Sequence, residues 1–298
     1  HPLNDDWLFV SAQYGYRYVS KNGGMTISGA TPPDQNGGWV APLFYDPNDH
    51  MRVYSFGDTV HRSDNFGSSW TKVGTPSFSG DIKRAAISEG NSQKIVVTRY
   101  EKIEISLNGG TSFFDIQGTL PNSYISDVCF DPNDDFTIVV VYSSHQNNGE
   151  KVFISNNNGL TWTNITYNLG NMPVRSVVID HTNASTIYVG TEHGVFKKAM
   201  SSTTWTPYNP DLPNVSVNEM EIMYGSNTLR ANTWGRGLWE FTLDGRANYP
   251  AILTTEITNP PSEVFPKEGV DEFVTSVISY DGTVSSAYVE WSLNSPVF

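Results

Sequence analysis

The sequence predicts an all-β protein in which four-stranded antiparallel sheets follow one another as the blades of a β-propeller. Two observations carry this prediction. A turn motif returns every 43 to 49 residues, and each repeat holds four short apolar runs separated by turn residues. The composition agrees, because 38% hydrophobic residues can form a core while Gly 25 and Pro 17 supply turns. No apolar run reaches 18 residues, so we expect no membrane span.

The repeated turn reads Ser-x-Asn-x-Gly-x-(Ser/Thr)-(aromatic or Ile). It begins at Ser20, Ser63, Ser106 and Ser155, and a degenerate fifth copy begins at Lys198, which gives spacings of 43, 43, 49 and 43 residues. An earlier marker, Asp-Pro or Asp-His, closes one apolar run and precedes the next; it occurs at Asp46, Asp131 and Asp180. Each unit therefore reads strand, Asp turn, strand, short turn, strand, Ser-x-Asn-x-Gly turn, strand.

The residue types of this turn suit a tight β-hairpin. An Asn side chain can hydrogen-bond its own turn backbone, and Gly permits positive φ. The aromatic residue at the end is expected to fold back and pack between blades. The predicted structural residues of the well-formed turns are Ser63, Asn65, Gly67, Trp70, Ser106, Asn108, Gly110, Phe113, Ser155, Asn157, Gly159 and Trp162.

These turns resemble the Asp-box, or BNR repeat, Ser-x-Asp-x-Gly-x-Thr-Trp, with Asn in place of Asp in each well-formed copy. The string from Gly235 to Glu240, Gly-Arg-Gly-Leu-Trp-Glu, looks like the end of the last blade in Asp-box propellers of large secreted proteins of Bacteroidetes type. The resemblance covers about residues 5–244 and implies a propeller of the sialidase, xyloglucanase and sortilin-like superfamily. Because Asn carries no charge, we expect no calcium at these turns.

The strand count predicts a propeller over residues 1–244, with about six blades. The first blade lacks its inner strand and the sixth lacks a clear outer strand, so we expect these blades to belong to a larger ring. An upstream part of the same polypeptide or a partner chain would complete that ring; a six-bladed ring with a loose closing blade is the alternative. Residues 245–249 read as a linker, and residues 250–298 resemble the start of an incomplete immunoglobulin- or fibronectin-like β-sandwich.

Candidate ligand-binding residues lie in loops and where inner strands begin, around the predicted central channel. The charged candidates are Arg84, Asp127, Arg175 and Glu219, which could bind an anionic sugar or a peptide carboxylate, or could pair with one another. The aromatic candidates, Trp39, Tyr124 and Trp234, could stack on sugar rings or pack in the core. Catalytic residues are not identifiable, because the arginine triad and Arg-Ile-Pro string that a sialidase resemblance implies are not found.

Charge and residue spacing exclude other functions. The net charge of −13, with only 18 Lys and Arg, argues against a nucleic-acid partner and favours an extracellular or cell-surface location. The histidines never fall at metal-ligand spacing, and no cofactor motif occurs, so we predict neither metal nor cofactor. The single cysteine, Cys129, excludes an intrachain disulfide and reads as a core residue.

These observations favour a non-catalytic propeller module of a secreted or cell-surface multidomain protein, acting as a rigid platform that binds a glycan or an extracellular protein. The alternative is a glycoside hydrolase, sialidase-like or xyloglucanase-like, with catalytic carboxylates partly upstream. A sortilin-like peptide receptor is disfavoured, since the resemblance implies a cysteine-rich module after the propeller and none follows here.

Overall fold

Strands dominate the structure, a computed structural model that describes residues 1, 4–146, 149–181, 185–209, 211–223, 227–243, 251–257 and 274–279. The helices of these residues are two 3-10 turns, Gln13–Gly15 and Tyr167–Leu169, and neither has the length or apolar character to cross a membrane. The apolar runs of the repeats form strands because their β-branched and aromatic residues fit a pleated surface.

The strands form six consecutive antiparallel sheets, which we number as blades 1 to 6. Blade 1 contains β1 (Leu8–Ser11), β2 (Arg17–Ser20) and β3 (Ser28–Gly29); blade 2, β4 (Leu43–Asp46), β5 (Asp49–Phe56), β6 (Val60–Ser63) and β7 (Thr71–Gly74); blade 3, β8 (Arg84–Ile87), β9 (Ile95–Arg99), β10 (Lys102–Ser106) and β11 (Phe114–Asp115). Blade 4 contains β12 (Ile125–Asp131), β13 (Asp134–Tyr142), β14 (Val152–Ser155) and β15 (Thr163–Asn164); blade 5, β16 (Val174–Ile179), β17 (Thr186–Thr191), β18 (Gly194–Ala199) and β19 (Thr206–Pro207); blade 6, β20 (Val217–Met223), β21 (Thr228–Thr233) and β22 (Gly237–Thr242).

Within each blade the strands pair in chain order, each antiparallel to the next. Blades 2 to 5 have four strands, and the described residues of blades 1 and 6 supply three. The predicted all-β propeller of four-stranded blades is confirmed. A separate antiparallel pair, β23 (Ala251–Ile257) and β24 (Val274–Ser279), falls in the region expected to start a second module. The predicted linker and the rest of that module lie outside the described residues.

The chain divides into two compact units. The first holds residues 1–222 and 230–239, and therefore blades 1 to 5; the second holds residues 223–229 and 240–298, including β23 and β24. The core and the site described below belong to the first unit.

The hydrophobic core lies in seams between consecutive blades rather than within any one blade. Side chains alternate across a strand, so Ile138 and Val140 join the seam with blade 3, while Val139 and Val141 join the seam with blade 5. A third apolar cluster fills the seam between blades 2 and 3. Cys129 is partly buried against the seam between blades 4 and 5.

The seam between blades 1 and 2 also contains a buried arginine. The guanidinium of Arg17 donates to the hydroxyls of Ser11 and Ser55 at 2.9 and 3.1 Å. Its Nη2 also donates to the carbonyl oxygens of Ala41 and Pro42, each at 2.8 Å. Burial lowers the pKa of Arg17 to about 10. This one side chain thus makes three hydrogen bonds to blade 2 and the segment that leads into it, and a fourth to Ser11 of its own blade.

The four Ser-x-Asn-x-Gly turns share one hydrogen-bond pattern, seen in full at residues 155–161. The backbone N–H of Gly159 donates to the Ser155 hydroxyl at 2.8 Å, and the backbone N–H of Thr161 donates to Asn157 Oδ1 at 3.0 Å. The amide of Asn157 donates to the Thr161 hydroxyl at 2.8 Å. Gly159 has φ +82°, a conformation that favours glycine. These bonds explain why Ser, Asn and Gly recur at fixed spacing.

The tryptophan that ends three of the repeats fastens its blade to the preceding one. The indole N–H of Trp162 donates to the carbonyl oxygen of Ile116 in blade 3 at 2.7 Å. Trp70 reaches Ala30, and Trp205 reaches Ile165, each at 2.8 Å. In each case the acceptor follows the outer strand of the preceding blade. The tryptophan therefore stabilises the contact between consecutive blades, because its ring is apolar and its indole N–H can donate a hydrogen bond.

Candidate functional site

The candidate site is a cavity at the end of the blades where inner strands begin, opposite the Ser-x-Asn-x-Gly turns. Its volume is about 460 Å³. It opens among blades 3 to 6 and is lined by Arg84, Tyr124, Ser126, Ser143, Arg175, Ser216, Asn218 and Trp234. Four of the seven predicted ligand-binding residues are in this set: both arginines, Tyr124 and Trp234.

Two β-bulges set the lining of the cavity. Between Ile125 and Asp127 the pairing register shifts by one residue, which leaves Ser126 as the extra residue of β12. The same shift occurs between Val174 and Ser176 and leaves Arg175 as the extra residue of β16. A bulge re-aims the side chain of the extra residue and is common beside functional sites. The bulges explain how residues of blades 4 and 5 come to line one cavity.

Arg84 is held by backbone carbonyls and keeps donors available. Its Nε donates to the carbonyl oxygen of Ser126 at 2.7 Å, and its Nη1 donates weakly to that of Lys83 at 3.4 Å. The carboxylate of Asp127 comes no nearer than 3.9 Å. Among the described residues none accepts a hydrogen bond from Nη2 of Arg84, so this half-exposed guanidinium can bind an external acceptor.

Arg175 is more strongly paired. Its Nη2 donates to Oε1 of Glu192 at 2.6 Å, and the exposed His145 ring places Nε2 3.4 Å from the same oxygen. The Nε of Arg175 is buried and has no hydrogen-bond partner within the described part of the chain. A buried donor without a partner costs about 1–3 kcal/mol, so this N–H favours an acceptor supplied by a ligand or by water.

Asp127 lies beside the cavity and joins blade 4 to blade 5. Its Oδ1 accepts the backbone N–H of Val128 at 2.9 Å, and its Oδ2 accepts the backbone N–H of Val177 at 3.0 Å. Burial, and then the negative charge of Glu219, raise its pKa to about 7, against the lowering effect of the backbone donors and of Arg84. Asp127 is therefore partly protonated near neutral pH.

The pKa of Glu219 is also raised, and the largest cause is again desolvation by the surrounding protein atoms. The residue nevertheless remains exposed to solvent. Arg84 opposes this rise. The charge of Glu219 adds to the rise in the pKa of Asp127, and the charge of Glu221 adds to the rise in the pKa of Glu219. Among the four predicted charged residues, Arg84, Asp127 and Glu219 therefore influence one another electrostatically, whereas Arg175 pairs with Glu192.

The aromatic candidates separate into two places. Tyr124 lies 6.3 Å from the ring of Tyr100, and Trp234 is largely exposed at the cavity. Trp39 does not line the cavity; it is exposed and makes an edge contact with Tyr14 at 5.6 Å between ring centroids. Only Tyr124 and Trp234 are therefore available beside the two arginines.

Sequence reasoning missed the polar lining of the cavity and the partners of Arg175. The lining residues it missed are Ser126, Ser143, Ser216 and Asn218, and the missed partners are His145 and Glu192. Serine and asparagine are too common in turns to signal a site. Within the described residues, no group of three or more His, Cys, Asp or Glu side chains is placed to hold a metal ion.

Comparisons with known proteins show the fold alone. No family model matches the chain, and no curated protein matches it. Among solved structures, the GH74 xyloglucanase from Xanthomonas campestris is 14% identical with a TM-score of 0.64, over 83% of this chain and 43% of that one. An ancestral GH74 enzyme is 17% identical with a TM-score of 0.60, over 82% of this chain and 36% of that one.

A third similar structure is YCF48 bound to D1 peptide, 12% identical with a TM-score of 0.56, over 82% of this chain and 76% of that one. The chain therefore spans about two fifths of the length of the GH74 structures. At these identities the likeness shows that the chain is a propeller module and does not show what it binds or catalyses.

Proposed function

We propose that the chain is a non-catalytic binding module of a secreted or cell-surface multidomain protein, and that its cavity recognises a carboxylate on a glycan or a protein. The observation that carries the proposal is the pair of guanidinium groups, Arg84 and Arg175, that line one cavity and each retain an N–H without a partner among the described residues. Arginine forks match the geometry of a carboxylate, and charge assistance strengthens such bonds.

The aromatic side chains support a ligand with flat or apolar surface. Trp234 and Tyr124 are exposed beside the arginines, where a ring face can stack on a sugar or a peptide side chain. Both ligand classes have a precedent among similar folds, since YCF48 was solved with a bound peptide and one GH74 structure is named a xyloglucanase. The acidity of the chain and its propeller blades support an extracellular location.

A glycoside hydrolase is the second candidate, and the raised pKa values of Asp127 and Glu219 favour it. Hydrolysis of a glycosidic bond needs two carboxyl groups free to reach the substrate. The residues lining the cavity include no carboxylate, and both oxygens of Asp127 accept backbone N–H groups. For these reasons binding is the better supported function.

The test is calorimetric titration of the chain with carboxylates and their uncharged analogues. The probes are glucuronate against glucose, N-acetylneuraminate against its methyl ester, and a tripeptide with a free C-terminal carboxylate against its amide. We expect at least one acid to bind and its uncharged analogue to bind about tenfold or more weakly, since one charged hydrogen bond contributes about 1.5–3 kcal/mol.

Substitution then assigns the binding to the cavity. Arg84→Gln and Arg175→Gln should each weaken binding of the acid by a similar factor, whereas Arg62→Gln, which breaks an exposed ion pair with Asp64 at 3.1 Å near a turn of blade 2, should not change it. Equal binding of acid and analogue, or equal loss in all three variants, would contradict the proposal. Hydrolysis of xyloglucan or a sialoside that Asp127→Asn abolishes would favour the enzyme instead.

A further inference from the structure

One face of blade 1 is apolar and uncovered, and the register of the repeats identifies its counterpart in blade 4. Ser20 and Ser155 begin equivalent turns; Ser20 pairs with Leu8 across β1 and β2, and Ser155 pairs with Ile138 across β13 and β14. Counting along the paired strands makes Val10 equivalent to Val140 and Tyr18 equivalent to Phe153.

Equivalent residues differ sharply in exposure. Ile138 and Val140 are fully buried at 0% and Phe153 is 6% exposed, all in the seam with blade 3. The corresponding Leu8, Val10 and Tyr18 are 38%, 44% and 37% exposed. In blade 4 this face meets the preceding blade. In blade 1 no described residue covers it.

The opposite face of blade 1 packs against blade 2, as the corresponding faces of blades 2 to 4 pack against the blade that follows each. Phe9 lies 4.7 Å from the ring of Phe66 in blade 2, and Arg17 makes its four hydrogen bonds on that side or along the sheet. Within the described residues, blade 1 is therefore a formed sheet with one covered face and one partly exposed face, which we call the bare face. A contiguous apolar patch of this kind marks an interaction surface.

The residue that ends the turn of blade 1 is also more exposed than its equivalent in blade 4. Ile27 stands seven residues after Ser20, at the position of Trp162, whose indole is fastened to blade 3. Ile27 is 57% exposed, against 9% for Trp162. Within the described residues β1 also pairs with β2 alone, so the edge where an inner strand would add is open.

We infer that this face is the seat of a further four-stranded blade, supplied by a preceding segment of the same polypeptide. The occupant is specified by the covered seams: a sheet face of aliphatic side chains, such as the Val96, Ile103 and Ile105 that blade 3 presents to blade 4. A flat aliphatic face is what Leu8, Val10 and Ile27 can accept, since they offer no hydrogen-bonding group.

The pattern of the other seams indicates that the bare face is covered by a further blade and not by a second copy of the chain. Three consecutive seams bury the same face of blades 3, 4 and 5 against the blade before each. A second copy would bring together two chains of net charge −13, and their mutual repulsion opposes association.

Site-specific photo-cross-linking in the full polypeptide, produced in its source, tests the inference. Benzoylphenylalanine replaces Tyr18 on the bare face or, as a control, Leu160, which is exposed on the turn of blade 4. We expect position 18 to cross-link, within one molecule, to a strand-forming peptide outside residues 1–298, and position 160 to give no such product. A cross-link from position 18 to residues 1–298 of either the same or another copy would overturn the inference, as would no cross-link at all.

Sedimentation of the 298-residue chain supplies the second arm. The inference predicts a monomer whose sedimentation coefficient does not change with the substitution Tyr18→Glu. If the chain forms a dimer that Tyr18→Glu dissociates, the occupant is a second copy and the inference fails.

Discussion

Blades 1 and 4 are built from the same repeat but meet different surroundings. Their turns make the same two backbone hydrogen bonds, to the Ser hydroxyl and to the Asn side chain, and their paired strands align residue for residue. Blade 4 buries both faces, whereas blade 1 buries one. The comparison teaches that the hydrogen bonds of the turn are the same whether or not the adjoining face is covered, whereas the burial of a blade's side chains depends on its neighbours.

The largest expected effect compares the two equivalent aliphatic positions. Ile138→Ala leaves a cavity in a sealed seam and should lower the free energy of unfolding by about 2–5 kcal/mol. Leu8→Ala removes side-chain atoms that already contact water, and should cost about 1 kcal/mol or less. Urea unfolding followed by tryptophan fluorescence measures both. Equal losses at the two positions would mean that blade 1 is covered as blade 4 is.

The next effect concerns pH and the seam between blades 4 and 5. Because the pKa of Asp127 is raised to about 7, the folded protein binds more protons than the unfolded chain between the ordinary Asp pKa and pH 7. Stability contributed by this group is therefore greatest at low pH and falls as pH rises, by about 2 kcal/mol between pH 5 and 6.5.

The substitution Asp127→Asn should remove that part of the slope, and the exposed Asp115→Asn should leave it in place. The measurement is the free energy of unfolding at several pH values for all three proteins. Blade 1 has no described inner strand and so no counterpart of Asp127. An unchanged slope in Asp127→Asn would show that Asp127 titrates alike in the folded and unfolded chain.

A smaller effect is expected at the residue that ends the turn. Trp162→Phe keeps an aromatic ring but removes the N–H bound to the Ile116 carbonyl, at a cost of about 1–2 kcal/mol. Phe113 occupies the same place in blade 3, so the substitution is compatible with the fold. Ile27→Ala, at the exposed equivalent, should change stability by about 0.5 kcal/mol or less. Thermal melts of both variants measure the contrast.

The smallest contrast is predicted for the turns themselves. Asn157→Ala and Asn22→Ala each remove an acceptor for a backbone N–H, at 3.0 Å from Thr161 and 2.9 Å from Thr26. Each should cost about 1 kcal/mol, with no difference between the blades. Hydrogen exchange of the Thr26 and Thr161 amides reports the local loss. A much larger loss in blade 4 would mean that the turn depends on the seam.

The sequence predicted the blades because their causes are local. Gly159 at positive φ, Asn157 bonding its own turn and a tryptophan seven residues after Ser155 all occupy fixed positions, so spacing alone discloses them. Arg84 and Arg175 were found because they lie where inner strands begin, and Tyr124 and Trp234 because they are aromatic residues in the segments between strands.

The rest of the site depends on contacts between residues that are distant in the chain, which the spacing of a repeat does not encode. The bulge that makes Arg175 the extra residue of β16 is visible only in the pairing with β17. The bond between Arg175 and Glu192 joins β16 to the turn that follows β17. Trp39 and Tyr124 both precede the inner strand of their blade. Trp39 nevertheless contacts Tyr14 and does not line the cavity.

Hydroxyl-radical footprinting of the 298-residue chain tests most directly the claim that equivalent faces of blades 1 and 4 differ in cover. Oxidation rates, read by mass spectrometry, compare Leu8, Val10 and Tyr18 with Ile138, Val140 and Phe153. We predict rapid oxidation of the first set and near-complete protection of the second. Equal protection of both sets would contradict the claim.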